Sequence, residues 1–372
     1  MHIKIQFSPL CQLYFTKLRV KPLNTFWLKG DVEYRVNYSG MYLFSLFTHV
    51  LHFLPGELAH HVALKSLKAL HFFGITKILL KKKITKGELC ARDIRKLNPK
   101  VGIAAGLDKN GEYIDCLAAL GISFIEVGTV TPRPQKGNPK PRVFRNLKEK
   151  ALLNRLGFNN KGVDNLVRNL KRKKTNIIVG SSIGKNFDTP NEKAYEDYIY
   201  CLNKVYQHSD YIAVNISSPN TQKLRDLSKV EHLDALLKII KSKQKDLSQE
   251  HGYRPIFIKI SPDESDESVK DICYSILTNN LDGIICSNTT INHSDPNGSG
   301  GLSGTPLKKR ATDMLIQVRK LIGDKLTIIA SGGVMTSEDY LEKINAGADL
   351  VQLYTGFIFE GPKLIDDIVN LD

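Results

Sequence analysis

Beyond residue 100 the chain repeats one pattern: a short apolar run closing in polar or glycine residues, then a longer stretch with helical spacing. The runs are Gly102–Gly106, Phe124–Thr129, Ile177–Ile183, Tyr211–Ser218, Ile256–Ser261, Gly283–Thr289, Thr327–Gly333 and Leu350–Gly356. None alternates strictly, which suits parallel strands covered on both faces. Helical patterns such as Val230–Gln249 and Lys308–Ile322 lie between them. Eight evenly repeated units predict an α/β fold, a (β/α)8 TIM barrel of typically ~250 residues, in preference to a doubly wound open sheet.

In a barrel the polar tails of these runs share one rim, the face that carries the chemistry of such folds. They comprise Gly106 to Lys109, Thr129, Asn215 to Thr221, Lys259, Asn288-Thr289, Gly332-Gly333 and Tyr354-Thr355. Two connections are long. Residues 130–176 carry Thr131-Pro132-Arg133-Pro134 and the cluster Asn154 to Asn160, and residues 290–307 carry Gly300 to Gly304. Loops of this length predict lids or ligand-binding segments.

Ahead of the barrel, Pro55-Gly56 separates the apolar Met41–Leu54 from Glu57–Phe73, which reads as a helix with Leu58, Val62, Leu67, Leu70 and Phe73 on its apolar surface. Lys81-Lys82-Lys83 follow. Paired apolar helices with flanking lysines match an element lying in a membrane interface; a helical cap on the bottom of the barrel is the equal alternative. The expected division is an extension over 1–40, a helical segment over 41–85 and the barrel over 86–372.

Charge sharpens this division. Of a net +15, the first 86 residues carry +10: six Lys/Arg against two acids in 1–40, then seven lysines against Glu57 alone. A basic segment ahead of a nearly balanced body points to an anionic partner for that segment, nucleic acid or a membrane surface, or to a plain solvated lysine-rich face. Nucleic acid is disfavoured because no aromatic stacking platform is interleaved with the lysines. No run of 18 apolar residues is present to span a bilayer. The six cysteines (11, 90, 116, 201, 273 and 286) form no CxxC pair and lack histidines at ligand spacing, so they read as reduced thiols with no metal site.

Candidate chemistry gathers on the rim. Asn215-Ile216-Ser217-Ser218-Pro219-Asn220-Thr221 places amides and hydroxyls on a turn stiffened by Pro219, able to surround a small planar polar ligand. One serine would transfer a proton; strand-end capping is the plain alternative, and the absence of a nearby His argues against a hydrolase. Gly332-Gly333, Tyr354-Thr355 and Gly304 form a candidate phosphate site, where glycine admits an anion to the backbone. Lys109 and Lys259 at strand ends need anionic partners, a reduced flavin or a substrate carboxylate, unless one is a Schiff-base lysine.

Seven co-linear segments carry a resemblance. Ala104 to Lys109, Glu126 to Pro132, Asn154 to Asn160, Asn215 to Thr221, Ser287 to Thr290, Gly300 to Gly304 and Tyr354-Thr355-Gly356 resemble the ordered motifs of the class 2, quinone-dependent dihydroorotate dehydrogenases, bacterial type, from about Met41 to the C-terminus. The resemblance implies oxidation of (S)-dihydroorotate to orotate with one FMN per chain. Electrons pass to a membrane quinone, in a pyrimidine-biosynthetic enzyme that is peripheral, monomeric and binds no nucleic acid. It implies the cytoplasmic side of a bacterial inner membrane, with the mitochondrial inner membrane as alternative. By resemblance Ser218 is the base that removes the C5 proton, where soluble relatives place cysteine. Substrate contacts are Lys109, Asn154, Arg155, Leu156, Gly157, Phe158, Asn215, Asn220, Asn288 and Thr289. Flavin contacts are Ala105, Gly106, Leu107, Asp108, Lys109, Thr129, Ser182, Asn215, Lys259, Ser287, Gly304, Gly333, Tyr354 and Thr355. Arg145 and His60 lie toward the quinone.

Two features depart from that pattern. Ser182 stands where the family usually has asparagine, so a shorter side chain implies looser flavin binding. Residues 1–40 lack a counterpart in bacterial members and are expected to be a transit segment or, preferably, an upstream frame taken in by a wrong start. Rival readings are an FMN barrel that uses NAD or fumarate, and a non-catalytic membrane scaffold. Ser218 and the apolar helix pair oppose the first; the retained rim opposes the second.

Overall fold

Eight parallel strands close into a barrel in the computed structural model, which describes residues 48, 50–76, 94–221 and 224–371. The extension over 1–40, the start of Met41–Leu54, the Lys81–Lys83 run and the expected boundary at 85/86 lie outside the described residues. In chain order the strands are β1 (Val101–Ile103), β2 (Phe124–Val130), β3 (Val143–Asn146), β4 (Ala151–Asn154), β5 (Ile178–Ile183), β6 (Tyr211–Asn215), β7 (Ile256–Lys259), β8 (Gly283–Cys286), β9 (Gly301–Gly304), β10 (Thr327–Ser331) and β11 (Leu350–Leu353). The barrel runs β1-β2-β5-β6-β7-β8-β10-β11 and closes by pairing of β11 with β1. The TIM barrel expected from the repeat is the fold of the chain.

Side-chain parity builds two layers. Phe124, Ile178, Tyr211, Phe257, Ile285, Ile329 and Leu350 pack together inside the barrel. Their immediate successors, such as Ile125, Val179, Ile212 and Ile258, join the larger core under the helices. Strand alternation puts these sets on opposite faces. Glycines make the inner layer possible: a Cβ at Gly180 would lie 2.0 Å from the Tyr211 ring, and one at Gly283 would lie 2.6 Å from that of Phe257. Small residues opposite large ones fill the barrel without overlap.

The predicted runs overshoot the sheet. Pairing stops at Ile103, Asn215, Lys259, Cys286, Ser331 and Leu353, and the polar tails lie beyond. There the backbone turns to side chains for its partners: Ser217 N donates to Asn215 Oδ1 (3.2 Å) and Thr289 N to Asn288 Oδ1 (2.8 Å). Helices α1 (Gly56–Phe72), α2 (Val230–His251) and α3 (Lys308–Ile322) fall within two residues of the predicted ones.

The two long connections are more ordered than loops. Together they build an antiparallel sheet, β3-β4-β9, with Ala151 opposite Gly304 and Asn154 opposite Gly301. Alternation explains it: Ala151, Leu153 and Leu302 pack on one face with Phe144, while Leu152 meets Met335 and Phe359 on the other. Helix α1 corrects a second expectation, the cap beneath the barrel. Its cavity-facing side looks onto Lys109 and Tyr354, which follow the C-terminal ends of β1 and β11. Arg142 fixes it there, donating from Nε (3.1 Å) and Nη2 (2.9 Å) to Glu57 Oε1. Phe53, Leu58, Phe72 and Phe73 remain exposed.

Candidate active site

The rim encloses a cavity whose wall contains Ala105, Gly106, Lys109, Thr129, Asn154, Leu156, Gly157, Phe158, Asn215, Ser218, Asn220, Lys259, Ser287, Asn288, Thr289, Gly333, Tyr354 and Thr355. Sequence elements far apart thus converge on one space. Five of the residues expected to contact flavin or substrate stand off this wall. Leu107 and Asp108 face a neighbouring cavity. Arg155 lies over the Phe144 ring, 5.0 Å from its centroid. Gly304 is paired in β9, where a Cβ would lie 2.2 Å from Lys150 O. Ser182 is fully buried, its hydroxyl 2.9 Å from that of Thr129.

On one side of the cavity the amides form a connected wall. Asn215 Nδ2 donates to Thr129 Oγ1 (3.0 Å), Asn288 Nδ2 to Ser217 Oγ (3.1 Å), and Asn220 Nδ2 to Asn154 Oδ1 (3.0 Å). Asn154 in turn donates to Gly301 O (3.1 Å), which fastens the wall to the small sheet. Mutual bonding holds each amide in one orientation, so its remaining donors and acceptors face a ligand pre-arranged. The Ser218 hydroxyl accepts from Asn220 N at 3.3 Å. No histidine lines this cavity among the described residues, so a Ser–His nucleophile is excluded here.

Two lysines supply charge. Lys109 Nζ donates to Gly106 O (2.7 Å), and burial pulls its pKa down to about 8 against the opposing pull of Glu57 and Asp108. Lys259, on β7, lies 3.6 Å from Glu126 Oε1 on β2. Glu126 Oε2 accepts from Tyr211 OH (3.2 Å) and Gln352 Nε2 (2.7 Å), whereas Glu126 Oε1 and Gln352 Oε1 are buried without a hydrogen bond among the described residues. On the opposite wall Gly332 (φ 108°) and Gly333 (φ 76°) take left-handed conformations, and a Cβ at Gly333 would strike Lys308 Cα at 2.2 Å. Two successive glycines leave backbone N–H groups open to an anion.

Sequence reasoning passed over Glu126 as a site residue, and with it Gln352, Ser331 and Ser303. The signal was present as parity: Glu126 stands two residues after inward Phe124, Gln352 two after Leu350, and Ser331 two after Ile329.

A second cavity, of about 400 Å³, opens between α1 and the barrel rim. Ala59, Ala63, Leu64, Leu67 and Leu70 of α1 line it, as do His60, Arg145, Leu152 and Ile358. It shares Lys109, Asn154, Leu156 and Tyr354 with the first cavity, so the two are separated by little more than these side chains. Arg145 uses its guanidinium on the carbonyls of Leu51, His52 and Leu54, and burial lowers its pKa. Burial, then Lys109 and His61, take His60 down to about 3, so it is neutral at ordinary pH. Burial raises Asp108 to about 6 against N–H bonds from Tyr113 and Glu112. No described helix is long and apolar enough to cross a membrane.

Comparison with known proteins agrees with this geometry. The dihydroorotate dehydrogenase family profile matches residues 92–371. Among similar curated proteins, the dihydroorotate dehydrogenase (quinone) of Vibrio parahaemolyticus is 47% identical, over 85% of this chain and 96% of its own. That of Shewanella sediminis is 49% identical, over 84% and 94%. Among solved structures, the DHODH of Eimeria tenella in complex with ferulenol superposes with a TM-score of 0.74 at 34% identity, covering 84% of this chain and 89% of that one. The barrel, its rim and these relatives agree: the chain belongs to the dihydroorotate dehydrogenase family.

Proposed function

We propose that the rim cavity oxidises (S)-dihydroorotate to orotate with FMN, and that the adjoining apolar cavity admits the quinone that takes the electrons away. The observation that carries this reading is the pair of contiguous cavities, one walled by amides, hydroxyls and lysines and the other by α1. A dehydrogenase with a separate apolar oxidant needs such a pair of sites, divided by an electron carrier.

FMN suits the residues present. Gly332-Gly333 and Thr355 offer N–H groups and a hydroxyl to its phosphate, and Lys259 offers a buried ammonium to an electron-rich ring. Gly106, Thr129, Ser287 and Tyr354 complete its surroundings. When bound, FMN supplies the acceptor for the hydride that leaves C6 of the substrate. Ser218 takes the C5 proton and passes it to water; its enclosed polar turn keeps competing acceptors away. Asn154, Asn215, Asn220, Asn288 and Thr289 orient the ureide and carboxylate edges of the ring, and Lys109 balances the carboxylate charge. Neutral His60 and the Arg145 guanidinium border the quinone passage, and the exposed Phe53, Phe72 and Phe73 face a membrane surface. The chain works peripherally, as a monomer on the cytoplasmic side of a bacterial inner membrane, with 41–85 as its docking segment and 86–372 as its catalytic body.

Anaerobic mixing of the yellow purified protein with dihydroorotate should bleach the flavin, and added quinone should restore the colour. Bleaching without restoration would leave the dehydrogenase half standing and remove the quinone half; no bleaching would remove both.

A further inference from the structure

Arg225 lies outside the cavity wall, in the 3-10 turn Leu224–Ser228, yet its guanidinium ties together three loops, two of which build that wall. Nε donates to Ser217 O (3.1 Å), in the loop after β6. Nη2 donates to Thr289 O (3.0 Å), after β8. Nη1 donates to Asp263 Oδ2 (2.8 Å), after β7, and the two side chains are only 21% and 9% exposed. Asp263 is committed in turn: Oδ2 accepts from Ile291 N (2.9 Å), and Oδ1 accepts from the Thr290 hydroxyl. A planar guanidinium has fixed donor directions, so one side chain sets the relative placement of three loops.

The two carbonyls it grips are those next to the chemistry. Ser217 O belongs to the peptide that leads into Ser218, and the Ser217 N–H is already held by Asn215 Oδ1 (3.2 Å). Both sides of Ser217 are therefore fixed, which leaves the Ser218 side chain little freedom of direction. Thr289 O follows Asn288, whose amide reaches Ser217 Oγ (3.1 Å). A proton-transfer group works only within hydrogen-bond reach of its target, and a shift of about 1 Å costs roughly 10²-fold in rate. We propose that Arg225, braced by Asp263, is a positioning residue for proton removal: it sets Ser218 against the Asn288–Thr289 wall. The inference rests on the reading of Ser218 as the base.

The test is anaerobic stopped-flow flavin reduction by dihydroorotate in the full chain with FMN bound, for Arg225→Lys, Ser218→Ala and the double variant. Lysine keeps the charge but loses the fork. The limiting reduction rate of Arg225→Lys should fall ~10- to 100-fold, while the bound-flavin spectrum and reoxidation by quinone after dithionite reduction stay unchanged. Because Arg225 acts through Ser218, the double variant should be no slower than Ser218→Ala alone. A full rate in Arg225→Lys, or a double variant slowed by the product of the single effects, would overturn the inference. Should Arg225→Lys lose FMN, Asp263→Asn carries the same cycle; loss of FMN from both would show the pair to hold the fold at large and would likewise overturn it. Near-normal reduction by Ser218→Ala overturns the base assignment itself, and that failure is read from the single variant alone.

Discussion

The Lys259 ammonium and the Glu126 carboxylate face each other across the barrel interior at 3.6 Å, both almost wholly buried. Removing one member of a buried pair leaves the other without compensation, at a cost of roughly 3–5 kcal/mol. Glu126→Gln should therefore lower the unfolding free energy by about that amount, as urea denaturation of the apoprotein would measure. Tyr211→Phe removes only the hydroxyl that donates to Glu126 Oε2 and should cost about 1 kcal/mol. Equal losses in the two variants would mean that the Lys259–Glu126 pair adds nothing beyond the Tyr211 hydrogen bond.

This pair also shows how far the sequence could be read. The repeat of apolar runs was enough for the barrel, because eight evenly spaced runs, each closing in polar residues and followed by a helical stretch, match eight β/α units. The rim motifs, from Ala105 to Thr355, were legible because each polar tail follows an apolar run. Two things were not. Glu126 sits mid-strand between Ile125 and Val127, and only knowledge of which parity faces inward separates it from a strand-end residue. The sheet β3-β4-β9 joins segments about 150 residues apart, and the short stretches Val143–Asn146 and Gly301–Gly304 carry too few residues to declare a period. Arg225 and Asp263 were invisible for the same reason, since their meaning lies in which loops they touch.

Ser182 gives a prediction whose sign the structure changes. From sequence, asparagine at this position would extend the wall toward flavin and tighten it. In the fold the Ser182 hydroxyl already meets Thr129 Oγ1 at 2.9 Å, with no exposed surface. A longer side chain at this fully buried position is expected to crowd Thr129, and overpacking at about 1–3 kcal/mol exceeds the ~1 kcal/mol of a new hydrogen bond. The variant should melt at a lower temperature and bind FMN no more tightly than the parent. Tighter FMN in a titration of apoprotein would show that the pocket has room to spare.

Lys109 should impose a pH dependence on substrate binding. Burial lowers its pKa from 10.5 to about 8. The ammonium is present below that value and lost as pH rises through it, so orotate affinity should decline above about pH 8. The stability effect runs the other way. Between about 8 and 10.5 the unfolded chain binds more protons than the folded one, so this group makes the ligand-free protein more stable as pH rises across that window. Lys109→Met should flatten both trends, as orotate-induced flavin difference spectra and melting curves across pH 7–10 would show. A parent whose orotate affinity stays constant through pH 9 would remove Lys109 from the carboxylate.

The last prediction concerns the space beside α1. Ala63 lines that cavity from the helix side, together with Ala59, Leu64 and Leu67. Its small side chain is one reason why an apolar molecule has room to approach Tyr354, which borders both cavities. Ala63→Trp would fill the passage from a cavity that neither Ser218 nor Lys259 lines. If the oxidant enters here, reoxidation of reduced flavin by quinone should slow by at least ~10-fold, because a filled pocket no longer buries its ligand. Flavin reduction by dihydroorotate should stay near the parent rate, since that half-reaction uses the other cavity. Measuring the two half-reactions separately is essential, because a variant that merely misfolds would lose both. If Ala63→Trp keeps its flavin and is still reoxidised at the parent rate, electrons leave by another route and the α1 cavity serves something else.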